Sequence, residues 1–121
     1  MISPDSSKTK LTQRDIKALF ARAKRVLRLP GLDILLASAI PTTLSTGHLV
    51  VVTPRVIGNA PARNKVRRRL KAIFHEQQLF TKPYSCIVIV KKGGVLLSFA
   101  DLKDALARAY DIFNKEKSHA G

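Results

Sequence analysis

Apolar residues first recur at helical spacing. Ile16, Leu19, Phe20, Ala23 and Leu27 form one stripe, the repeat of an amphipathic helix. Thr12-x-x-Asp15 places a capping box at its start, where two side chains satisfy exposed backbone N–H groups. Arg14, Lys17, Arg22, Lys24, Arg25 and Arg28 take the opposite face, and Pro30-Gly31 is expected to end the helix. Residues 32–40 (LDILLASAI) read as a strand closed by Pro41, followed by a Thr/Ser/Gly-rich loop through Gly47. Residues 48–53 (HLVVVT) read as a second strand, rich in β-branched residues that suit a pleated surface. Two prolines and Gly58-Asn59 make residues 54–62 a structured turn, with Gly58 allowing a sharp bend and Pro61 suiting a helix start. A helix is expected over 62–78, with Val66, Leu70, Ile73 and Phe74 on one side. Residues 84–90 (YSCIVIV) are nearly all apolar, as in a strand buried on both faces. After a turn at Lys91-Lys92-Gly93-Gly94, a second capping box, Ser98-x-x-Asp101, starts a last helix with Leu102, Ala105, Leu106, Ala109 and Phe113 inward.

Strands alternating with helices define an α/β layer, one small sheet with helices packed on it. The 121 residues fit one domain, expected over 11–114, with a disordered tail at 1–10 and a fraying one at 115–121. Composition adds the partner class. The chain carries 22 Lys+Arg against 8 Asp+Glu, a formal charge of +14. Such a surplus repels itself unless a polyanion is near, and nucleic acid is the usual one. The single cysteine, Cys86, lies in the most apolar run and reads as a small core residue. His48, His75 and His119 have no partners at ligand spacing, so no metal site of protein ligands is expected. No secretion signal or membrane-spanning run is apparent, which makes the cytoplasm the expected location and a membrane an unexpected partner.

The sharpest chemistry lies in Arg63-Asn64-Lys65-Val66-Arg67-Arg68-Arg69-Leu70-Lys71. With Arg63 at zero and about 100° per residue, Arg67, Lys71, Asn64 and Arg68 fall between about 40° and 140°. Val66, Leu70 and Ile73 fall between about 280° and 340°, and Lys65 and Arg69 flank the far side. Arg63 and Lys65 occupy the first turn, where the helix dipole disfavours cations by about 0.3–1 kcal/mol each. Folding alone gives no reason to put them there, whereas a bound phosphate reverses the sign. Arg55, just past the second strand, can reach the same anion. A merely solvated helix face is the plain alternative. A membrane or calmodulin-like partner would need a bulky free apolar face, and this seam is narrow.

The run Gly58-Asn59-Ala60-x-x-Arg63-Asn64-x-x-Arg67-Arg68-x-x-Lys71 resembles, in order and without gaps, the signature of the bacterial ribonuclease P protein subunit family. Arg14-Asp15 with Phe20, and Leu97-Ser98-Phe99 before the last helix, agree with it, and the resemblance covers roughly residues 11–114. It implies a small α/β sandwich of the α+β kind, with a mixed sheet, a left-handed βαβ crossover and a short extra strand. It also implies an accessory subunit of an endoribonuclease whose large RNA partner, with Mg²⁺, removes the 5′ leader of precursor tRNA. The polypeptide would then hold no catalytic residue and no metal, and would need no further protein partner. Carried over by position, Arg55, Arg63, Asn64, Lys65, Arg67, Arg68 and Lys71 would contact the catalytic RNA. Phe20 and Ile16 would line a cleft for the single-stranded leader, Ile16 standing where the family usually has an aromatic. Lys71 stands in for an arginine, keeping charge without the bidentate fork. Three other classes stay in view: a ribosomal or ribosome-associated protein, an autonomous nuclease, and a DNA-binding helix. Scattered carboxylates speak against the second, and the lack of helix-turn-helix spacing against the third.

Overall fold

The most apolar run takes the most enclosed place in the molecule. In the computed structural model, which describes residues 13–38, 47–82 and 84–120, the elements follow one another as α1 (Gln13–Arg22), β1 (Lys24–Arg28), β2 (Leu32–Ser38), β3 (Leu49–Val52), α2 (Ala60–Glu76), β4 (Tyr84–Val90) and α3 (Phe99–Ala120). One-turn 3-10 helices lie at Arg55–Ile57, Leu79–Thr81 and Gly94–Leu96. The described strands form one sheet in the order β1-β2-β4-β3. β4 is therefore internal, and all its residues are buried except the half-buried Ile89. It pairs antiparallel with β2 from Leu32↔Val90 to Ser38↔Tyr84, and parallel with β3 from Leu49↔Cys86 to Val52↔Ile89. The parallel pair is joined through α2, giving the βαβ unit of a mixed sheet.

Strand alternation sorts the side chains into two layers. Leu32, Ile34 and Leu36 of β2, with Tyr84, Cys86, Val88 and Val90 of β4, meet Val66, Leu70, Ile73 and Phe74 of α2 and Leu102, Leu106 and Phe113 of α3. On the other face Leu35, Ala37 and Ile87 meet Leu19, the one buried residue of α1, with Ala23, Val50 and Ile89 partly buried around them. The result is helix, sheet and a helix pair, and among the described residues α1 alone covers the second face.

The first helix is shorter than its stripe predicts. It ends at Arg22, and Leu27 belongs to β1, the extra strand that periodicity did not place. Pro30-Gly31 closes a two-residue hairpin, since Leu29 and Leu32 exchange backbone hydrogen bonds of 2.7 and 3.3 Å across it. A helix running to Leu29 would leave the outer edge of β2 unpaired, and pairing that edge satisfies its backbone groups. β1 carries a bulge at Val26, as the register passes from Arg25↔Leu35 to Leu27↔Ile34. Val26 and Leu27 consequently both pack against the main core, and the inward Leu27 fell in step with the helical stripe of α1. The hairpin turn then nests on the next glycine turn. A Cβ on Gly31 would lie 2.9 Å from the Gly94 Cα, a spacing only glycine accommodates.

Smaller differences have local causes. Asn59 Oδ1 accepts a 2.9 Å hydrogen bond from the Ala62 N–H, so α2 starts at Ala60 with Pro61 as its second residue. Gly58 is extended (φ 165°, ψ 173°), and the bend expected there is made by the 3-10 turn. α3 opens on the reciprocal Ser98/Asp101 cap at 3.1 and 3.2 Å. It runs to Ala120, past the fraying expected from Lys115. No Gly or Pro interrupts it, and Asp111–Lys115 adds an i,i+4 ion pair of 3.3 Å. The expected tail at 1–10 and the Thr12 half of the first capping box lie outside the described residues.

Candidate nucleic-acid interface

α2 is held by its apolar seam and, on one flank, by Arg69 and Glu76. The seam faces the sheet and the last helix, and Asn59 fixes the start of α2, so the face carrying Asn64, Arg67, Arg68 and Lys71 is presented at a set angle to solvent. Asn64, Arg67, Arg68 and Lys71, all exposed, line an open groove of about 530 Å³ together with Pro61. These are the four residues that the helical wheel gathers between about 40° and 140°. Three cations and one amide thus share a concave surface that can take phosphates and a sugar or base edge.

The other expected contacts stand around that groove rather than in it. Lys65 is exposed on the flank that carries Arg69. Arg69 is engaged within the fold: its Nη1 donates a 2.9 Å hydrogen bond to the Leu97 carbonyl, tying α2 to the segment before α3. Arg63 is half-buried, and its Nε is buried with no hydrogen-bond partner among the described residues. Arg55 is exposed in the 3-10 turn after β3, anchored by the neighbouring buried Ile57. On the opposite face of the sheet, Ile16 is half-buried and Phe20 is 39% exposed, one helical turn apart on α1. Phe20 is therefore a surface ring and not part of the core.

Reading the sequence missed a second concentration of charge on the α1 side of the sheet. Asp33, 8% exposed, has Lys91 Nζ 2.8 Å from Oδ1 and Arg25 Nη2 3.7 Å from Oδ2. The lysine is at contact distance but out of line for a hydrogen bond with Oδ1. Placing Arg25 and Arg28 on a helix face hid this cluster. The signal that could have revealed it was the two-residue Pro-Gly turn between two aliphatic pairs, a hairpin pattern.

Burial sets the chemistry of the interior. The Cys86 thiol is pushed up to about 12, chiefly by burial. Burial also raises the Tyr84 and Tyr110 phenols. Tyr84 donates to Asn114 Oδ1, and its ring packs edge-on against Phe113 at 4.9 Å. Exposed Glu76 is held below the usual carboxylate range by the hydrogen bond and charge of Lys103. No three His, Cys, Asp or Glu side chains cluster to hold a metal ion among the described residues. Among the same residues no helix is long and apolar enough to cross a membrane.

Comparison with known proteins shows the family and the fold. The Ribonuclease P family profile matches residues 7–114. The chain is 35% identical over 72 residues to the ribonuclease P protein component of Helicobacter hepaticus, across 59% of this chain and 49% of that one. It is 31% identical over 66 residues to the same component of Mycoplasmopsis synoviae, across 54% and 59%. The chain thus spans about half the length of these curated relatives. The Staphylococcus aureus RNase P protein structure superposes with a TM-score of 0.72 at 14% identity, covering 88% of this chain and 95% of that one. The chain belongs to the ribonuclease P protein family, and the mixed four-stranded sheet and three α-helices of its described residues are that family's α+β fold.

Proposed function

We propose that this chain is the protein component of a ribonuclease P, a ribonucleoprotein endonuclease that removes the 5′ leader of precursor tRNA in the cytoplasm. The observation that carries the proposal is the groove on α2, where Asn64, Arg67, Arg68 and Lys71 converge beside Pro61 on a family-matched fold. We assign this face, with Arg55, Arg63 and Lys65 at its margins, to the catalytic RNA. Ile16 and Phe20 on α1 are assigned to the leader, whose unpaired bases can pack on an exposed ring without regard to sequence.

The division of labour follows from the side chains. Cations that replace counterions around crowded phosphates let the RNA pack at lower Mg²⁺. Hydrolysis is assigned to the RNA and its Mg²⁺, and no residue of this chain is assigned to that ion.

The test is cleavage of a leader-bearing precursor tRNA at low Mg²⁺ by the cognate catalytic RNA, with and without this chain. Cleavage at the mature 5′ end only when both are present supports the proposal. Tight binding to ribosomal RNA with no effect on cleavage would replace it with the ribosomal reading. Cleavage by the polypeptide alone would move the chemistry into the protein.

A further inference from the structure

A second groove has the inverse chemistry of the one on α2. About 310 Å³ lies open between the β1–β2 hairpin and the start of α3, lined by Leu29, Pro30, Gly31, Leu97, Asp101 and Asp104. Among the described residues its lining holds two carboxylates and no cation, on a chain with 22 Lys+Arg against 8 Asp+Glu. The α2 groove is lined by three cations, an amide and a proline.

Contacts from elsewhere in the fold fix the walls. The hairpin wall is closed by the exchange between Leu29 and Leu32, and the Gly31 carbonyl accepts a 2.9 Å hydrogen bond from the Lys91 N–H. Leu97 is held twice: its carbonyl accepts from Arg69 Nη1 at 2.9 Å, and its N–H donates to the Gly94 carbonyl at 3.2 Å. Asp101 is held by its reciprocal cap with Ser98. Asp104 is the open member, with a side chain 70% exposed and only a 3.8 Å contact to Arg108 Nη1. A groove shaped before its ligand arrives loses little entropy on binding. Leu96, beside Leu97 in the chain, is 85% exposed, so apolar surface continues into the 3-10 turn.

These walls select their occupant. Two carboxylates repel phosphate, so RNA is the wrong ligand. A hard metal ion takes more oxygen ligands than two, and no three His, Cys, Asp or Glu side chains cluster among the described residues. An aliphatic stem with a cationic head satisfies both parts of the lining. The stem lies on Leu29, Pro30 and Leu97, and the head meets Asp101 and Asp104. The volume is at the low end of ligand sites, about 300–1,000 Å³, which suits a few side chains of a peptide.

We infer that this groove docks an extended segment of another protein, one that presents arginine next to an apolar residue. Arginine-rich segments that order on binding are common in proteins that themselves contact RNA, and such a protein is the partner class. The inference goes beyond the ribonuclease P reading and does not depend on it. The two grooves share no lining residue, so RNA on α2 and a basic protein here can be held together.

The test uses the sign of the charge. On a chain at +14, general electrostatics favour an acidic peptide over a basic one, and the groove predicts the reverse. Fluorescence anisotropy of the full chain, at physiological ionic strength, compares three labelled six-residue peptides: alternating leucine and arginine, leucine and glutamate, and serine and arginine. The leucine-arginine peptide should bind at least about 3-fold more tightly than either of the others. Asp104→Asn, at an exposed side chain, should weaken it about 3-fold, the size of an exposed ion pair. Arg67→Gln/Arg68→Gln should not weaken it. Backbone amide NMR shifts on adding the peptide should map to residues 29–31 and 96–104, a second reading that needs no variant. Preference for the glutamate peptide, or unchanged affinity in Asp104→Asn, would overturn the inference. So would equal binding of the serine-arginine peptide, since the apolar wall would then do nothing, or shifts confined to other surfaces. Self-association of the full chain that Asp104→Asn abolishes would give the groove to a second copy instead.

Discussion

Neighbouring arginines on α2 do different work. Arg68 lines the exposed groove, while Arg69, one residue on, donates from Nη1 to the Leu97 carbonyl. Removing a charged donor from a part-buried carbonyl costs about 1–3 kcal/mol. Arg69→Ala should therefore shift the urea midpoint clearly, with RNA affinity measured on the folded protein nearly unchanged. Arg68→Ala should do the opposite, leaving the midpoint within about 0.5 kcal/mol and lowering the salt slope of RNA binding by about one. Equal midpoints would show that the Leu97 contact carries no stability. Cys86 gives a second residue-scale prediction. Its thiol is buried and pushed from 9.0 up to about 12, so iodoacetamide at pH 8 should label it only after denaturation, by mass spectrometry. The raised value also fixes a pH dependence. Between about pH 9 and 12 the unfolded chain loses a proton that the folded chain keeps, so stability falls as pH rises through that window. The slope from this one group is at most about 1.4 kcal/mol per pH unit. Cys86→Ala should delay the onset of that fall.

An element can be right in kind and wrong in extent. Asn59→Ala removes the side-chain cap of α2 and should cost about 1 kcal/mol, read as a lower midpoint with unchanged denaturant slope. It should also weaken RNA binding modestly, because Asn64 sits within the first turns that fray. No change in either measurement would mean that the backbone turn alone orients the helix. The α2 seam, the enclosed β4 and the Ser98/Asp101 cap were all legible in the sequence, since each depends on spacing within one segment. β1 was not. Val26 and Leu27 are adjacent and both inward only because a bulge places them so, and that bulge depends on the pairing partner Leu32–Ser38. For the site, the groove residues followed from a helical wheel, whereas the partner of Arg69 and the gathering of Arg25, Lys91 and Asp33 are long-range contacts. No local period encodes them.

The sheet separates the two cationic surfaces of the molecule. α2 packs on one face, toward β3, while Arg25 and Arg28 reach the other face on β1, at the opposite edge. Three strand spacings, about 14 Å, lie between those edges, beyond the Debye length of about 8 Å at physiological ionic strength. Each surface therefore repels mainly within itself, and an anion bound to one leaves the other charged. With +14 on 121 residues, the free protein should be stabilised by multivalent anions that bind the native clusters and not only by screening. At matched ionic strength, sulfate or phosphate should raise the melting temperature more than chloride, and the gain should grow with concentration as for a ligand of the folded state. Arg67→Gln/Arg68→Gln and Arg25→Gln/Arg28→Gln should each remove part of that gain, and their losses should add, because the sites are far apart and share no side chain. Identical melting in sulfate and chloride would mean that the charge is a diffuse surplus without built anion sites. A loss in one pair that abolishes the other's contribution would mean that the two faces are a single electrostatic unit, and that one RNA could satisfy both.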